Sequence, residues 1–337
     1  MSLASALLSS KQELKCSKKF WEEFSNSSHL RLQQLIQTDV PPHYNGSLSG
    51  EECFRIGTSK LYEFTASGRP ILVLPSMINK AYIMDLLGKS FIKALGDNGF
   101  RAYVIEWGDP GDAELNMNLN DFALGRVERF VEYVIARTGM KPILLGFCMG
   151  GIMAALYASK AQGRLEALVQ LATPWDFNVN GFTLIDEQKI LQIFEGHKSI
   201  PKEFFQISFY LPKFAKVNKK YLRMSQSSYH GDFYAIESWV HDGVDMPKMV
   251  FAQIMEIANQ NKLMSYAVKD FDLPVLSIVA TKDSVVPYAS SEAIKTLFPS
   301  SKLAYITTGH VGLVTDYGAV VAETIKLWIL KFRKSNV

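Results

Sequence analysis

From about residue 60 the chain repeats short apolar runs: LYEFTA (61–66), PILVLP (70–75), RAYVIEW (101–107), KPILLG (141–146), EALVQLA (166–172), LPVLSIVA (273–280) and KLAYIT (302–307). The later runs are continuous rather than alternating, the pattern of strands covered on both faces. Segments with helical spacing lie between several of them. IMDLLGKSFIKALGDNG (83–99) ends on Gly99 and LNDFALGRVERFVEYVIARTG (119–139) ends on Gly139, each at a C-cap-like position. This alternation predicts an α/β fold whose sheet is mostly parallel, with right-handed crossovers.

The flanks and the middle break this rhythm. Residues 10–37 place Phe20, Trp21, Phe24, Leu30, Leu32 and Leu35 at helical spacing, and 38–51 is dense in Pro, Gly, Ser and Asn, as a connecting loop would be. Between Thr173 and Asp272 no strand pattern stands out. The segment is rich in Phe, Tyr, Met and Lys and is punctuated by Pro201, Pro212 and Pro247. It reads as a mainly helical insertion at the C-terminal edge of the sheet, over the crevice where ligands bind in such folds. The last stretch, AVVAETIKLWILKFRKSNV, reads as an amphipathic helix with basic residues in its final turn. The expected organisation is thus an N-terminal helical segment and linker (1–50), a first core part (51–174), a helical cap (175–270) and a second core part (271–337).

Composition narrows the class. Of 337 residues, 48% are hydrophobic and 20% charged, which fits a globular protein and excludes disordered, collagen-like and disulfide-stapled chains. Thirty-six basic against 33 acidic side chains leave +3, too little to imply a nucleic-acid or membrane-surface partner. Three cysteines, Cys16, Cys53 and Cys148, lie far apart without metal-ligand spacing, consistent with a reducing cytoplasm. The N-terminus lacks the basic start and apolar stretch of a signal peptide, and no membrane span is expected.

The sharpest chemical signal is GFCMGG (146–151), which follows a strand-like run and opens a helical one. In this context G-x-nucleophile-x-G is a strained strand-to-helix turn that lifts the nucleophile above the sheet edge. Residues two before and two after must be small. Gly146 and Gly150 meet that, and Gly151 adds clearance. The turn also aims the positive end of a helix dipole at Cys148, which stabilises negative charge on sulfur. The bland alternative is an inert cysteine in glycine-rich helix–sheet packing.

A nucleophile needs a base and the base an orienting acid. Asp283 follows one strand-like run and His310, flanked by Gly309 and Gly312, follows the next, in the order nucleophile, acid, histidine. Asp242, inside the insertion, is a rival acid. Taken singly, Asp283 could be a helix N-cap and His310 a surface-loop residue. The oxyanion expects one backbone N–H from Met149 and a second from the loop LPSMINKAY (74–82), at Met77 or Ile78, with Asn79 as a brace. A cysteine accepts an acyl group from a thioester at little free-energy cost, which points toward acyl-thioester substrates.

These residues resemble the polyhydroxyalkanoate synthases, particularly their short catalytic subunits. LPSMINKAYIMDL (74–86) is similar to the family's P-x-x-I-N-K-x-Y-I-x-D-L stretch. VIEWGDP (104–110) is similar to its strand ending in D-W-x-x-P, with Glu106 in place of the acid. GFCMGG matches its cysteine-bearing box, ESWVHDGVDMP (237–247) resembles its E-x-W-x-x-D-x-x-x-x-P segment, and KDSVVP and TGHVGLV resemble its acid and base loops. The likeness covers roughly 60 to 315. It implies an α/β-hydrolase core under a helical cap, with Cys148 carrying the acyl chain, His310 as base and Asp283 in support. It implies a (R)-3-hydroxyacyl-CoA substrate and a cytoplasmic polyester granule as product. It implies no cofactor beyond the substrate's CoA, a homodimer and a second synthase subunit as partner. Two departures stand out. Ser284 occupies a place where the family often has histidine, and only about 50 residues precede the core.

Other readings use the same residues. A cysteine-dependent hydrolase shares the triad, whether a polyester depolymerase, a thioesterase or an enzyme of the dienelactone hydrolase kind. A non-catalytic granule-binding protein would use the aromatics Phe204, Phe205, Phe209, Tyr210 and Phe214, which at helical spacing also suit an ordinary core. Lys213, Lys216, Lys219 and Lys220 suit either CoA phosphates or a solvated helix face. Cys16 and Cys53 read as ordinary unpaired positions.

Overall fold

The computed structural model describes residues 48–86, 88–179, 187–205, 235–236, 238–240, 242–259 and 271–334. Eight strands form one sheet: β1 (Glu51–Ile56), β2 (Ser59–Glu63), β3 (Arg69–Leu74), β4 (Phe100–Glu106), β5 (Ile143–Phe147), β6 (Ala167–Leu171), β7 (Val275–Ala280) and β8 (Lys302–Ile306). Their spatial order is β1-β2-β4-β3-β5-β6-β7-β8. β4, β3, β5, β6, β7 and β8 are parallel, and β1 and β2 add an antiparallel hairpin at one edge. β5, β6 and β7 are buried along their whole length, as their mostly apolar runs require, with Gln170 and Ser277 as buried polar positions.

Helices cover both faces. α1 (Phe91–Asp97) and α6 (Gly318–Lys334) pack on one side, with a core that includes Phe91, Leu95, Val321 and Ile325. α2 (Val127–Thr138) and α3 (Met149–Ala161) pack on the other, around Phe130, Val134, Met153 and Tyr157. α2 stops where expected. Gly139 adopts φ 69° and its N–H returns to the Ile135 carbonyl. Behind the hairpin, the buried Arg126 guanidinium binds the Glu114 carboxylate, the Ile56 carbonyl and, at 2.9 Å, Ser59 Oγ.

Three expectations need correction. β1 falls at the end of the expected loop. It is an edge strand with a bulge and only half-buried apolar positions, so its pattern is weak; Phe54 stacks on Tyr133 at 4.8 Å. The run 83–99 is not one helix. A short turn (Ala81–Met84) leads into a two-residue hairpin, Asp85–Leu86 against Lys89–Ser90. α1 starts only after it, capped by Ser90 Oγ, which accepts the Lys93 N–H at 2.9 Å. Gly88, at φ 78°, and Ser90 are the turn and cap residues that override the apolar spacing. The insertion also contains a small ladder, Ser199–Ile200 against Met246–Pro247, beside α4 (Glu187–Ile193) and α5 (Lys248–Asn259).

Phe204 and Phe205 join Phe251 in an edge-to-face aromatic cluster packed on the core, so these two serve as helical core. Residues 10–37, Cys16, Phe209, Tyr210, Phe214 and the four lysines of 213–220 lie outside the described residues.

Candidate active site

Cys148 sits between β5 and α3 with φ 54° and ψ −125°, a backbone conformation seldom occupied by a side-chain-bearing residue. Hydrogen bonds hold it there. Its N–H donates to the Leu171 carbonyl at 2.9 Å, and its carbonyl accepts the Gly151 N–H at 2.9 Å. The three glycines are a steric necessity. A Cβ on Gly146 would collide with the Gly151 backbone, one on Gly150 with the Leu74 and Pro75 carbonyls, and one on Gly151 with the Thr173 and Gln170 side chains. The requirement for small residues around the nucleophile therefore holds at each position, and the sulfur is set at the C-terminal edge of the sheet.

Asp283 and His310 emerge from the loops after β7 and β8. His310 Nδ1 lies 2.6 Å from Asp283 Oδ2. The other Asp283 oxygen accepts the N–H groups of Val285 (2.7 Å) and Val286 (2.9 Å), so the carboxylate cannot swing away. Both side chains are buried. Burial alone would lower the imidazole pKa. The Asp283 carboxylate and the hydrogen-bonded Cys148 sulfur overcome it and push it up to about 10. Asp242, the rival acid, is exposed on the insertion. Cys53 is no competitor for Cys148: burial pushes its thiol up to about 11, and Sγ bonds the Leu61 carbonyl.

Met149 opens α3, so its N–H is among the first-turn donors that lack an intrahelical acceptor. The loop after β3 runs beside it. Ile78 lines the pocket that holds Cys148 and His310, whereas the Met77 side chain is buried in the core. The insertion fastens this loop. Val244 N–H donates to the Ile78 carbonyl at 2.9 Å, Trp239 Nε1 donates to the Lys80 carbonyl at 2.6 Å, and Asn79 pairs with Gly243 in a bridge. Asn79 Nδ2 also reaches the Trp239 carbonyl at 3.4 Å, so it braces the loop as expected.

The pocket walls are mostly apolar. Phe147, Val285 and Val311 come from the core, and Phe205, Trp239 and Val240 from the insertion; Ser76, Asn79 and Lys202 supply the polar points. Lys202, Trp239, Val240 and Ser76 carried no assigned role in the sequence. For Trp239 a signal existed, since it lies in a block that resembles a synthase motif. Lys202 had none, because only the fold brings it into the lining of the same pocket. Among the described residues no helix is long and apolar enough to cross a membrane.

Comparison with known proteins agrees with this fold. Residues 70–317 match the model of the alpha/beta hydrolase fold family. The chain is 31% identical over 268 residues to a poly(3-hydroxyalkanoate) polymerase subunit of Haloferax mediterranei, covering 72% of this chain but about half (54%) of that one. It is 29% identical to the corresponding subunit of Allochromatium vinosum, covering 77% of this chain and 80% of that one. Among solved structures, a hydrolase from Pseudomonas aeruginosa superposes with a TM-score of 0.57 at 15% identity, covering 84% of this chain and 99% of the other. A monoacylglycerol lipase from Paleococcus ferrophilus superposes with a TM-score of 0.53 at 15% identity, covering 80% and 98%. The chain belongs to the α/β-hydrolase fold family, and it is similar in sequence to poly(3-hydroxyalkanoate) polymerase subunits.

Proposed function

We propose that this chain is the catalytic subunit of a polyhydroxyalkanoate synthase, polymerising (R)-3-hydroxyacyl-CoA with release of CoA. The observation that carries the reading is Cys148, held in a strained elbow beside the His310–Asp283 pair at the base of a mostly apolar pocket. The similarity to named polymerase subunits over some three quarters of the chain supports it.

The chemistry follows from the charges. Cys148 sulfur attacks the thioester carbonyl of the substrate. The bond to the CoA sulfur breaks, and that sulfur leaves with the proton of the His310 imidazolium. N–H groups of Met149 and Ile78 stabilise the intervening oxyanion. Once Cys148 is acylated, His310 loses one of the two partners that raise its pKa. The imidazole left behind is a base oriented by Asp283. It takes the proton of an incoming 3-hydroxyl, whose oxygen attacks the acyl group on Cys148. The sulfur leaves as thiolate and the ion pair is restored. The apolar walls disfavour water as the acceptor, which separates a synthase from a hydrolase. The reading needs no cofactor beyond the substrate's CoA. It places the protein at the polyester granule surface and includes a homodimer and a second synthase subunit.

The test is CoA release from (R)-3-hydroxybutyryl-CoA by the purified chain and by Cys148→Ala, each with and without a host lysate to supply a second subunit, with the acyl product identified. Polymer formed by wild type and abolished in the variant supports the reading. Free hydroxyacid as the sole product replaces it with a cysteine hydrolase. No CoA release in any arm overturns activity on this substrate.

A further inference from the structure

The reaction described above gives no part to Glu106, yet this carboxylate binds the residue that follows the pocket-lining loop Ser76–Lys80. It ends β4, partly buried, and accepts two backbone N–H groups, from Ala81 at 2.7 Å and from Gly108 at 3.1 Å. Its charged neighbours are Lys80 and Asp109, which pair with each other at 2.6 Å. Burial raises the carboxyl above its ordinary range, against the opposing pull of the two N–H groups and Lys80.

The position of Ala81 gives this arrangement its meaning. It is the first residue after the loop Ser76–Lys80, the same loop whose carbonyls at Ile78 and Lys80 are held by Val244 and Trp239 of the insertion. The loop is therefore gripped from two sides: by the insertion through its carbonyls, and by a core strand through the N–H that follows it. Lys80 also ties the loop by its side chain, to Asp109, but of the holds on the backbone only that of Glu106 is charged, and a charged acceptor makes the stronger bonds.

We infer that Glu106 is a positioning residue for acyl transfer, fixing the loop Ser76–Lys80 so that the Ile78 N–H meets the oxyanion formed at Cys148. The inference rests on the acyl-transfer reading of the site. The charge matters because both partners are donors. A carboxylate offers acceptors to each. A carboxamide of the same shape must turn its NH2 against one of them, and a protonated carboxyl must do the same with its O–H. An aspartate, one methylene shorter, reaches one of the two.

The test reads acylation and nucleophile separately. The pre-steady-state burst of p-nitrophenol from p-nitrophenyl butyrate measures acylation of Cys148, whatever product the enzyme makes from CoA esters. Alkylation by iodoacetamide measures the same sulfur without an oxyanion. Glu106→Gln is expected to slow acylation about tenfold or more, part of the ~10²–10³ lost when an oxyanion donor is removed outright. KM for the ester and the alkylation rate should stay within about twofold of wild type. Glu106→Asp should recover part of the acylation rate, and the acid limb of its pH profile in wild type should be missing from Glu106→Gln. Acylation by Glu106→Gln within about twofold of wild type overturns the inference, as does an equal loss in acylation and alkylation. A wild type without any burst overturns the acyl-transfer reading and the inference with it. A burst with free acid as the CoA-ester product overturns the polymerase reading alone.

Discussion

His310 and Asp283 meet through a 2.6 Å hydrogen bond between Nδ1 and Oδ2, although 27 residues separate them in the chain. The bond fixes which imidazole nitrogen faces Cys148 and keeps a buried cation where burial alone would expel it. Asp283→Asn keeps the shape and removes the charge. Burial then prevails, and His310 should lose its proton far below the wild-type value of about 10. Imidazole NMR should show His310 neutral at pH 7 in the variant and protonated in wild type. Titration at the same pH in both proteins would remove Asp283 as the cause. Acylation should fall by orders of magnitude, as it does when the acid of a catalytic triad is neutralised.

The same pair makes stability depend on pH. The folded-state pKa of His310 is raised from its ordinary 6.5 to about 10, so the folded state holds a proton that the unfolded chain releases in this range. Its stabilising contribution is complete below pH 6.5 and is lost as pH rises through about 10. The melting temperature of wild type should therefore decline between these limits more steeply than that of His310→Gln. Parallel curves would show that the imidazolium does not stabilise the fold.

Two glycines on the same side of the sheet should respond oppositely to a methyl group. Gly150→Ala drives a Cβ into the Leu74 and Pro75 carbonyls, which belong to a central strand and the turn after it and cannot yield. We expect a loss at or above the ~1–3 kcal/mol of ordinary overpacking, with no CoA release. Gly125, in the helical turn Asp121–Arg126, has open space around the same position and an ordinary φ. Gly125→Ala should stabilise by ~0.5–1 kcal/mol. Denaturant titration of both variants checks the contrast.

The Arg126–Glu114 pair is buried on both sides, and Glu114 also accepts the N–H groups of Thr58 (3.3 Å) and Gly111 (3.1 Å). Arg126→Met leaves a buried carboxylate without its cation and should destabilise by ~3–5 kcal/mol. Adding Glu114→Leu should recover part of that loss rather than increase it. Urea unfolding of the two single variants and the double variant measures the coupling; additive losses would show that the two charges do not depend on each other.

Much of this arrangement was legible in the sequence, for local reasons. Cys148 was marked by glycines at fixed spacing, because an elbow imposes its steric demand within two or three residues on each side. Asp283 and His310 were marked by following apolar runs that only buried strands require. The hairpin at Asp85–Ser90 is hidden in the sequence because apolar spacing across 83–99 masks its Gly88 turn and Ser90 cap. β1 is hidden in the sequence because an edge strand with only half-buried apolar positions carries little periodicity.

What the sequence determined by itself is the chemistry that short segments encode: a parallel buried sheet, a cysteine in a strained turn, and an acid and a base at neighbouring strand ends. These follow from periodicity, turn sterics and residue type, which act over a few positions. The tertiary structure added the contact itself: packing buries Asp283 against the imidazole and leaves Asp242 exposed on the insertion. It also decided that Trp239 holds a loop 159 residues away, that Lys202 lines the pocket of Cys148, and that Glu106 accepts the N–H of Ala81 at the end of that loop. Such contacts depend on burial and on pairing between distant segments, and no local pattern in a single chain records them.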